Sequence, residues 1–168
     1  MPEAGARHSA SLRLWLALGV LVAAADQITK ALVVARFAEG ESLALNPVFS
    51  LVLVYNSGAA FSFLATAGGW QRAFFIALSS LASALIVTLL VRHRDEPLMC
   101  AALGLILGGA VGNLIDRIVI GRVVDFLLFH WGPDAFPAFN LADSAITLGA
   151  VLLIIDSLRS ARAARQPG

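Results

Sequence analysis

The sequence predicts an all-α membrane protein: four transmembrane helices, with a small extracytoplasmic β-rich segment and a short interfacial helix. Three observations carry this. Of 168 residues, 59% are hydrophobic and only 14% charged, against roughly 45–50% and about 25% in an ordinary soluble domain. Mean hydropathy is +0.84. A soluble globule of this length has too little interior to hide so much apolar sequence. Four apolar stretches, at about 12–37, 73–91, 98–115 and 139–158, each approach the roughly 20 residues that a helix needs to cross a bilayer. The basic residues also divide unevenly between the two sides that four spans define. The whole of 1–168 reads as one integral membrane domain.

The first span has the composition of a cleaved signal peptide near its start, with Arg7 and Arg13 before an apolar run and Ala23-Ala24-Ala25 as a small-residue site. The apolar pattern continues past that site through Ile28 and residues 31–35, which favours a retained span. The connector 38–72 is not a plain loop. Residues 49–55 (Phe-Ser-Leu-Val-Leu-Val-Tyr) are strand formers, and Asn46-Pro47 supplies a turn before them. The second and third spans are joined by a short segment with Arg92 and Arg94. In the connector 116–138, residues 127–131 followed by Pro133 suggest a short interfacial helix or turn, with Trp131 at headgroup depth.

An even number of spans puts both termini on one side with the loop between spans two and three. That side holds Arg7, Arg13, Arg92, Arg94, Arg159, Arg162 and Arg165, seven of the twelve basic residues. By the positive-inside rule both termini are cytoplasmic, and the two long connectors face outward. A formal charge of +1 argues against nucleic acid. The single Cys100 excludes an internal disulfide, and His8, His93 and His130 lack zinc-site spacing.

Charge within a span costs at least about 2.5–3.5 kcal/mol on insertion scales, so each polar cluster needs a reason. Five clusters fall toward the outer face. Asp26 and Lys30 are four apart and share a helix face, which favours a structural ion pair over direct substrate binding. Asn56-Ser57-Gly58-Ala59-Ala60-Phe61 follows the strand and reads as a turn or a polar contact. Gly104, Gly108 and Gly112 recur every four residues and make a smooth stripe for helix packing. Asn113 and Arg117 then share a face, with Asp116 beside basic side chains. Asp125 lies among apolar residues after the third span. Asn140 and Asp143 open the fourth, Asn140 being the better placed of the two to cap it.

Asp125 and Asp143 admit two readings. One is a structural Asp and a helix cap. In the other, the third and fourth spans bring two carboxylates together at the outer surface, where they share a proton. One then takes a proton from water while the other polarises a scissile carbonyl, the requirement for peptide hydrolysis. A metalloprotease helix motif is absent, and no spacing supports Ser57 with Lys30 as nucleophile and base. A transporter or assembly factor would also carry intramembrane Asp and Arg, but usually near the midplane and in repeated halves.

At these clusters the chain resembles the bacterial lipoprotein signal peptidases, or signal peptidase II. The matching segments are Asp26-Gln27-x-Thr29-Lys30, Asn56-x-Gly58-Ala59-Ala60-Phe61, Gly108-Gly109-Ala110-x-Gly112-Asn113-x-x-Asp116-Arg117, Val123-Val124-Asp125-Phe126 and Phe139-Asn140-x-Ala142-Asp143. They stand in order across residues 12–158, with no departure at a motif position. The resemblance implies an intramembrane aspartic endopeptidase of the bacterial inner membrane, with its site near the extracytoplasmic face. It implies cleavage of signal peptides from diacylglyceryl-modified prolipoproteins, just before the lipidated cysteine, and sensitivity to globomycin. Asp125 and Asp143 are then the catalytic pair. Asn56, Asn113, Arg117 and Asn140 hold the substrate backbone or support the pair. Asp26, Lys30 and Asp116 are structural polar residues. No metal or organic cofactor is implied. The expected partners are the lipid-modified precursor and membrane lipids, and the expected state is a monomer.

Overall fold

A computed structural model describes residues 3–58 and 70–164 of the chain. Ala59, Ala60 and Phe61 of the second cluster, and the basic Arg165, lie outside the described residues. The element order is α1 (Glu3–Val34), β1 (Ser42–Asn46), β2 (Phe49–Asn56), α2 (Trp70–Arg92), α3 (Pro97–Val119), β3 (Val123–Trp131), β4 (Asp134–Ala135) and α4 (Leu141–Ala164). Among the described residues, four apolar helical segments are long enough to span a membrane: Leu12–Val34, Trp70–Arg92, Pro97–Val119 and Leu141–Arg162. Their outer surfaces carry Val20, Leu81 and Ile154, all well exposed, as lipid-facing helices require.

α3 packs against all three other helices and is the most buried of the four spans. Its glycines explain this. A methyl group at Gly108 would lie 2.6 Å from both Gly19 O and Val22 Cβ on α1, and one at Gly112 would lie 2.6 Å from Asp26 Oδ2. Gly104 meets Trp15 O and Leu18 in the same way. The four-residue stripe is therefore the α1 seam. Gly109, one position round the helix, abuts Ala142 and Ile146 of α4, and Gly149 of α4 returns the contact at Ala102 and Ile106. Without a hydrophobic gradient between helices in lipid, this close backbone approach is what gains dispersion contacts. Ile86, Leu90, Cys100, Leu103 and Leu107 form the core between α2 and α3. Pro97 sits in the first turn of α3, where its missing N–H costs nothing.

The four strands form an antiparallel sheet in the order β1-β2-β3-β4. A tight hairpin joins β1 to β2, with Asn46 Oδ1 accepting the Val48 amide at 2.9 Å. The apolar face of the sheet closes on the end of α1 through Val33, Leu53, Val124 and Phe126. Residues 127–131 are not an interfacial helix but the outer half of β3. Their backbone groups have partners on both sides: Leu127 and Phe129 pair with β2, and Leu127 exchanges hydrogen bonds with Phe139 at 2.8 and 3.0 Å. The turn falls next, at Gly132 with φ +60°.

Gly109→Ala tests the α3–α4 seam. The added methyl has no room against the Ala142 backbone, so overpacking should cost about 1–3 kcal/mol. A lower Tm in detergent is the expected result; an unchanged Tm would show that the helices separate without loss.

Candidate active site

Five elements converge at one end of the bundle, among them β2, which ends at Asn56. α3 extends to Val119, which puts Asn113, Asp116 and Arg117 on its last two turns. β3 begins four residues later and carries Asp125. α4 begins at Leu141, so Asn140 is its N-cap and Asp143 its third residue. Asp26 and Lys30 come from the facing side of α1.

Lys30 is only 3% exposed, and its ammonium has three short contacts. Nζ lies 2.8 Å from Asp26 Oδ2 and 2.8 Å from Asp116 Oδ2, and donates to Asn113 Oδ1 at 2.9 Å. Both carboxylates have further donors. Asp26 Oδ1 accepts the Ala142 amide at 2.9 Å, inside the first turn of α4. Asp116 Oδ2 accepts the Val124 amide at 3.0 Å, next to Asp125. Asp116 Oδ1 accepts Gln27 Nε2 at 2.8 Å, and Gln27 also donates to Gly112 O. Such pairing is what makes buried charge tolerable. The structural reading of Asp26, Lys30 and Asp116 fits this geometry. Gln27 belongs to the same network although the sequence reading gave it no role; its position between Asp26 and the rest of the first cluster was the available signal.

Asn113 turns this network toward the second carboxylate. With its Oδ1 occupied by Lys30, its Nδ2 donates to Asp143 Oδ1 at 2.8 Å. Asn140 Oδ1 accepts the Asp143 amide at 2.9 Å, and Asp143 Oδ2 accepts the Asn140 amide at 3.3 Å. This is a reciprocal cap of the kind made by a capping box. The Asn140 side chain also donates through Nδ2 to Asp125 Oδ1 at 2.7 Å. The other oxygen of Asp125, Oδ2, accepts Asn56 Nδ2 at 2.9 Å. One asparagine thus touches both aspartates. Arg117 donates to Asn113 O at 3.1 Å, and its charge lies within electrostatic reach of Asp143 and Asp116. All nine residues singled out from the sequence therefore gather here.

Asp125 is 2% exposed. Burial pushes its carboxyl up to about 6, the Asn56 hydrogen bond opposes the shift, and the charge of Asp143 adds to it. Asp143 is half-buried and opens on a groove of about 800 Å³ that follows α4 through Ser144, Thr147, Leu148 and Val151. Phe129, Trp131, Phe136 and Phe139 form its upper wall. A carboxyl inclined to hold a proton thus stands beside a second carboxyl that faces an apolar channel.

Two outcomes follow from this arrangement. Lys30→Met leaves Asp26 and Asp116 buried without their cation and should cost about 3–5 kcal/mol, read as a large fall in Tm or in membrane-inserted yield. The folded Asp125 binds its proton more tightly than the unfolded one. Its contribution to stability is therefore present below about pH 4 and lost as pH rises through about 6, on the order of 2–3 kcal/mol. Comparing Tm of the wild type and Asp125→Asn between pH 4 and 7 should show the wild type losing ground as pH rises. A constant difference would contradict the raised pKa.

The chain is similar to known proteins over most of its length. Residues 18–159 match the family model for signal peptidase (SPase) II. The chain is 58% identical over 155 residues to a lipoprotein signal peptidase of Paraburkholderia phymatum, covering 92% of this chain and 93% of that one. It is 57% identical over 149 residues to a lipoprotein signal peptidase of Cupriavidus taiwanensis, covering 89% and 85%. A solved bacterial membrane enzyme superposes with a TM-score of 0.80 at 30% identity, covering 92% of this chain and 93% of that one. Four membrane-spanning helices, a polar site at their common end and a family match across nearly the whole bundle lead to one conclusion: the chain is a multi-pass membrane peptidase of the signal peptidase II family.

Proposed function

We propose that the protein is an aspartic endopeptidase of the bacterial inner membrane that removes signal peptides from diacylglyceryl-modified prolipoproteins, cutting before the lipidated cysteine, with Asp125 and Asp143 as the reacting pair. The carrying observation is the single asparagine, Asn140, hydrogen-bonded to both carboxylates at the head of an apolar groove. In this reading Asp125, whose pKa is raised, holds the shared proton and donates it to the scissile carbonyl oxygen. Asp143 takes a proton from the attacking water. Collapse of the tetrahedral intermediate returns a proton to the amide nitrogen and breaks the C–N bond. Asn56 and Asn140 orient Asp125; Asn113 and Arg117 orient Asp143 and steady its charge. The substrate is an apolar helix carrying acyl chains, so the groove along α4 lets it approach sideways from the lipid. β2 and residues 127–137 close over the cleavage point.

The orientation follows from charge. Arg92 and Arg94 lie at the end of the bundle opposite the site, with Arg159 and Arg162 at the far end of α4. Both termini are then cytoplasmic and the site is extracytoplasmic. We take the working unit to be a monomer. A transporter or assembly factor, the alternative left by composition alone, is not supported by the family match.

Asp125→Asn and Asp143→Asn should each insert normally and lower kcat for a lipidated precursor by roughly a thousandfold or more. EDTA should leave wild-type cleavage intact. Full activity in either variant, or loss of activity to EDTA, would sink the mechanism.

A further inference from the structure

α2 contributes none of the site residues described above, and most of its surface faces lipid: Leu81 is 71% exposed and Leu85 58%. Its first turns nevertheless reach residues on both sides of the carboxylate pair. The last carbonyls of α3 have no intrahelical partners. Asp116 O accepts the amides of Ile120 and Gly121 at 2.8 and 3.2 Å. The next two carbonyls are taken by Arg72: Nε donates to Arg117 O at 3.0 Å and Nη2 to Ile118 O at 2.7 Å. One guanidinium from a neighbouring helix thus caps α3 and places a positive charge at its negative end. Gly121, at φ +76°, lies against the same side chain; a Cβ there would be 3.4 Å from Arg72 Cδ.

Phe75 lies three residues on, on the same face of α2. The Arg117 guanidinium carbon stands 5.1 Å from its ring centroid, a cation–π distance. The edge of that ring fills the space where Gly58 would carry a side chain. Gly58 donates its amide to Asn56 Oδ1 at 2.9 Å, and Asn56 is the residue bonded to Asp125 Oδ2. One face of Phe75 therefore bounds Arg117, beside Asp143. Its edge bounds Gly58, which fixes the amide that holds Asp125.

We infer that Arg72 and Phe75 are positioning residues for the cleavage reaction, acting through Arg117 and Asn56 to set the two carboxylates relative to one another. The inference rests on the pairing of Asp125 with Asp143 proposed above. Neither side chain touches the aspartates, so the expected loss falls on turnover and not on substrate capture.

The test uses the full chain, purified in detergent, with a lipidated precursor as substrate. Phe75→Leu keeps an apolar side chain and removes the ring. Arg72→Ala removes the cap, and Arg72→Lys restores the charge and one donor. Phe75→Leu and Arg72→Ala should each lower kcat about tenfold or more, with KM within about twofold and Tm within about 3 °C of wild type. Arg72→Lys should recover part of the loss. In a double-mutant cycle, Phe75→Leu with Arg117→Lys should be no slower than the slower single variant, because both act on one link. Wild-type kcat in Phe75→Leu would overturn the inference. So would a loss of kcat that tracks a fall in Tm, or effects that multiply in the cycle. Asp125→Asn and Asp143→Asn serve as controls. If both are inert while Phe75→Leu is fully active, the positioning role alone fails. If either control cleaves at full rate, the pair itself fails and the inference goes with it.

Discussion

The site depends on one buried ammonium group. Lys30 sits among helices that must live in lipid, yet it is almost wholly enclosed. Its three contacts reach residues on two helices, and each partner passes the constraint on. Asp26 holds the first turn of α4 by the Ala142 amide. Asp116 holds the start of β3 by the Val124 amide. Asn113 has its amide orientation fixed and so presents a donor to Asp143. A lone cation at this depth would be costly to insert; two carboxylates and an amide oxygen compensate it. Helices and sheet are thereby registered by charge where apolar packing alone would let them slide.

Packing and polarity divide the labour by depth. Toward the inner end, Leu90, Cys100 and Leu103 make an apolar core. In the middle, glycines bring α3 against α1 and α4 so closely that no side chain fits between. That closeness is what lets Asp26 reach across Gly112 to the α4 backbone. The small-residue seam and the polar network are therefore one construction: with larger residues on α3, the carboxylate would stand too far from Ala142 to bind it.

Much of this was legible in the sequence because it follows from composition and period. Four spans were visible as apolar runs, the stripe of Gly104, Gly108 and Gly112 as a four-residue repeat, and the Asp26–Lys30 pair as helix spacing. Residues 49–55 read as a strand because β-branched and aromatic side chains dominate there. Residues 127–131 carry a similar composition, but the following Pro133 suggested a short helix or turn. What made them a strand was β2 on one side and Phe139 on the other, and both partners are remote in sequence or beyond the next turn. β1 was invisible for a similar reason: its five residues are all exposed and owe their conformation to pairing with β2. The convergence of Asn56, Asp125, Asn140 and Asp143 could be suspected from the family resemblance. The bridging of both aspartates by one asparagine could not, since it depends on the angle at which β3 passes the head of α4. Arg72 and Phe75 gave no signal at all, because an arginine at the end of a span usually means snorkelling.

The reciprocal cap between Asn140 and Asp143 ties both carboxylates to the first turn of one helix. Helix ends fray at free energies far below that of global unfolding. This end, by contrast, is enclosed: Asn140 and Ala142 are fully buried, the Ala142 amide is held by Asp26, and the same turn lies on the Gly109 seam. It opens only when α1, α3 and α4 part, so the geometry of the two carboxylates persists until the bundle itself comes apart.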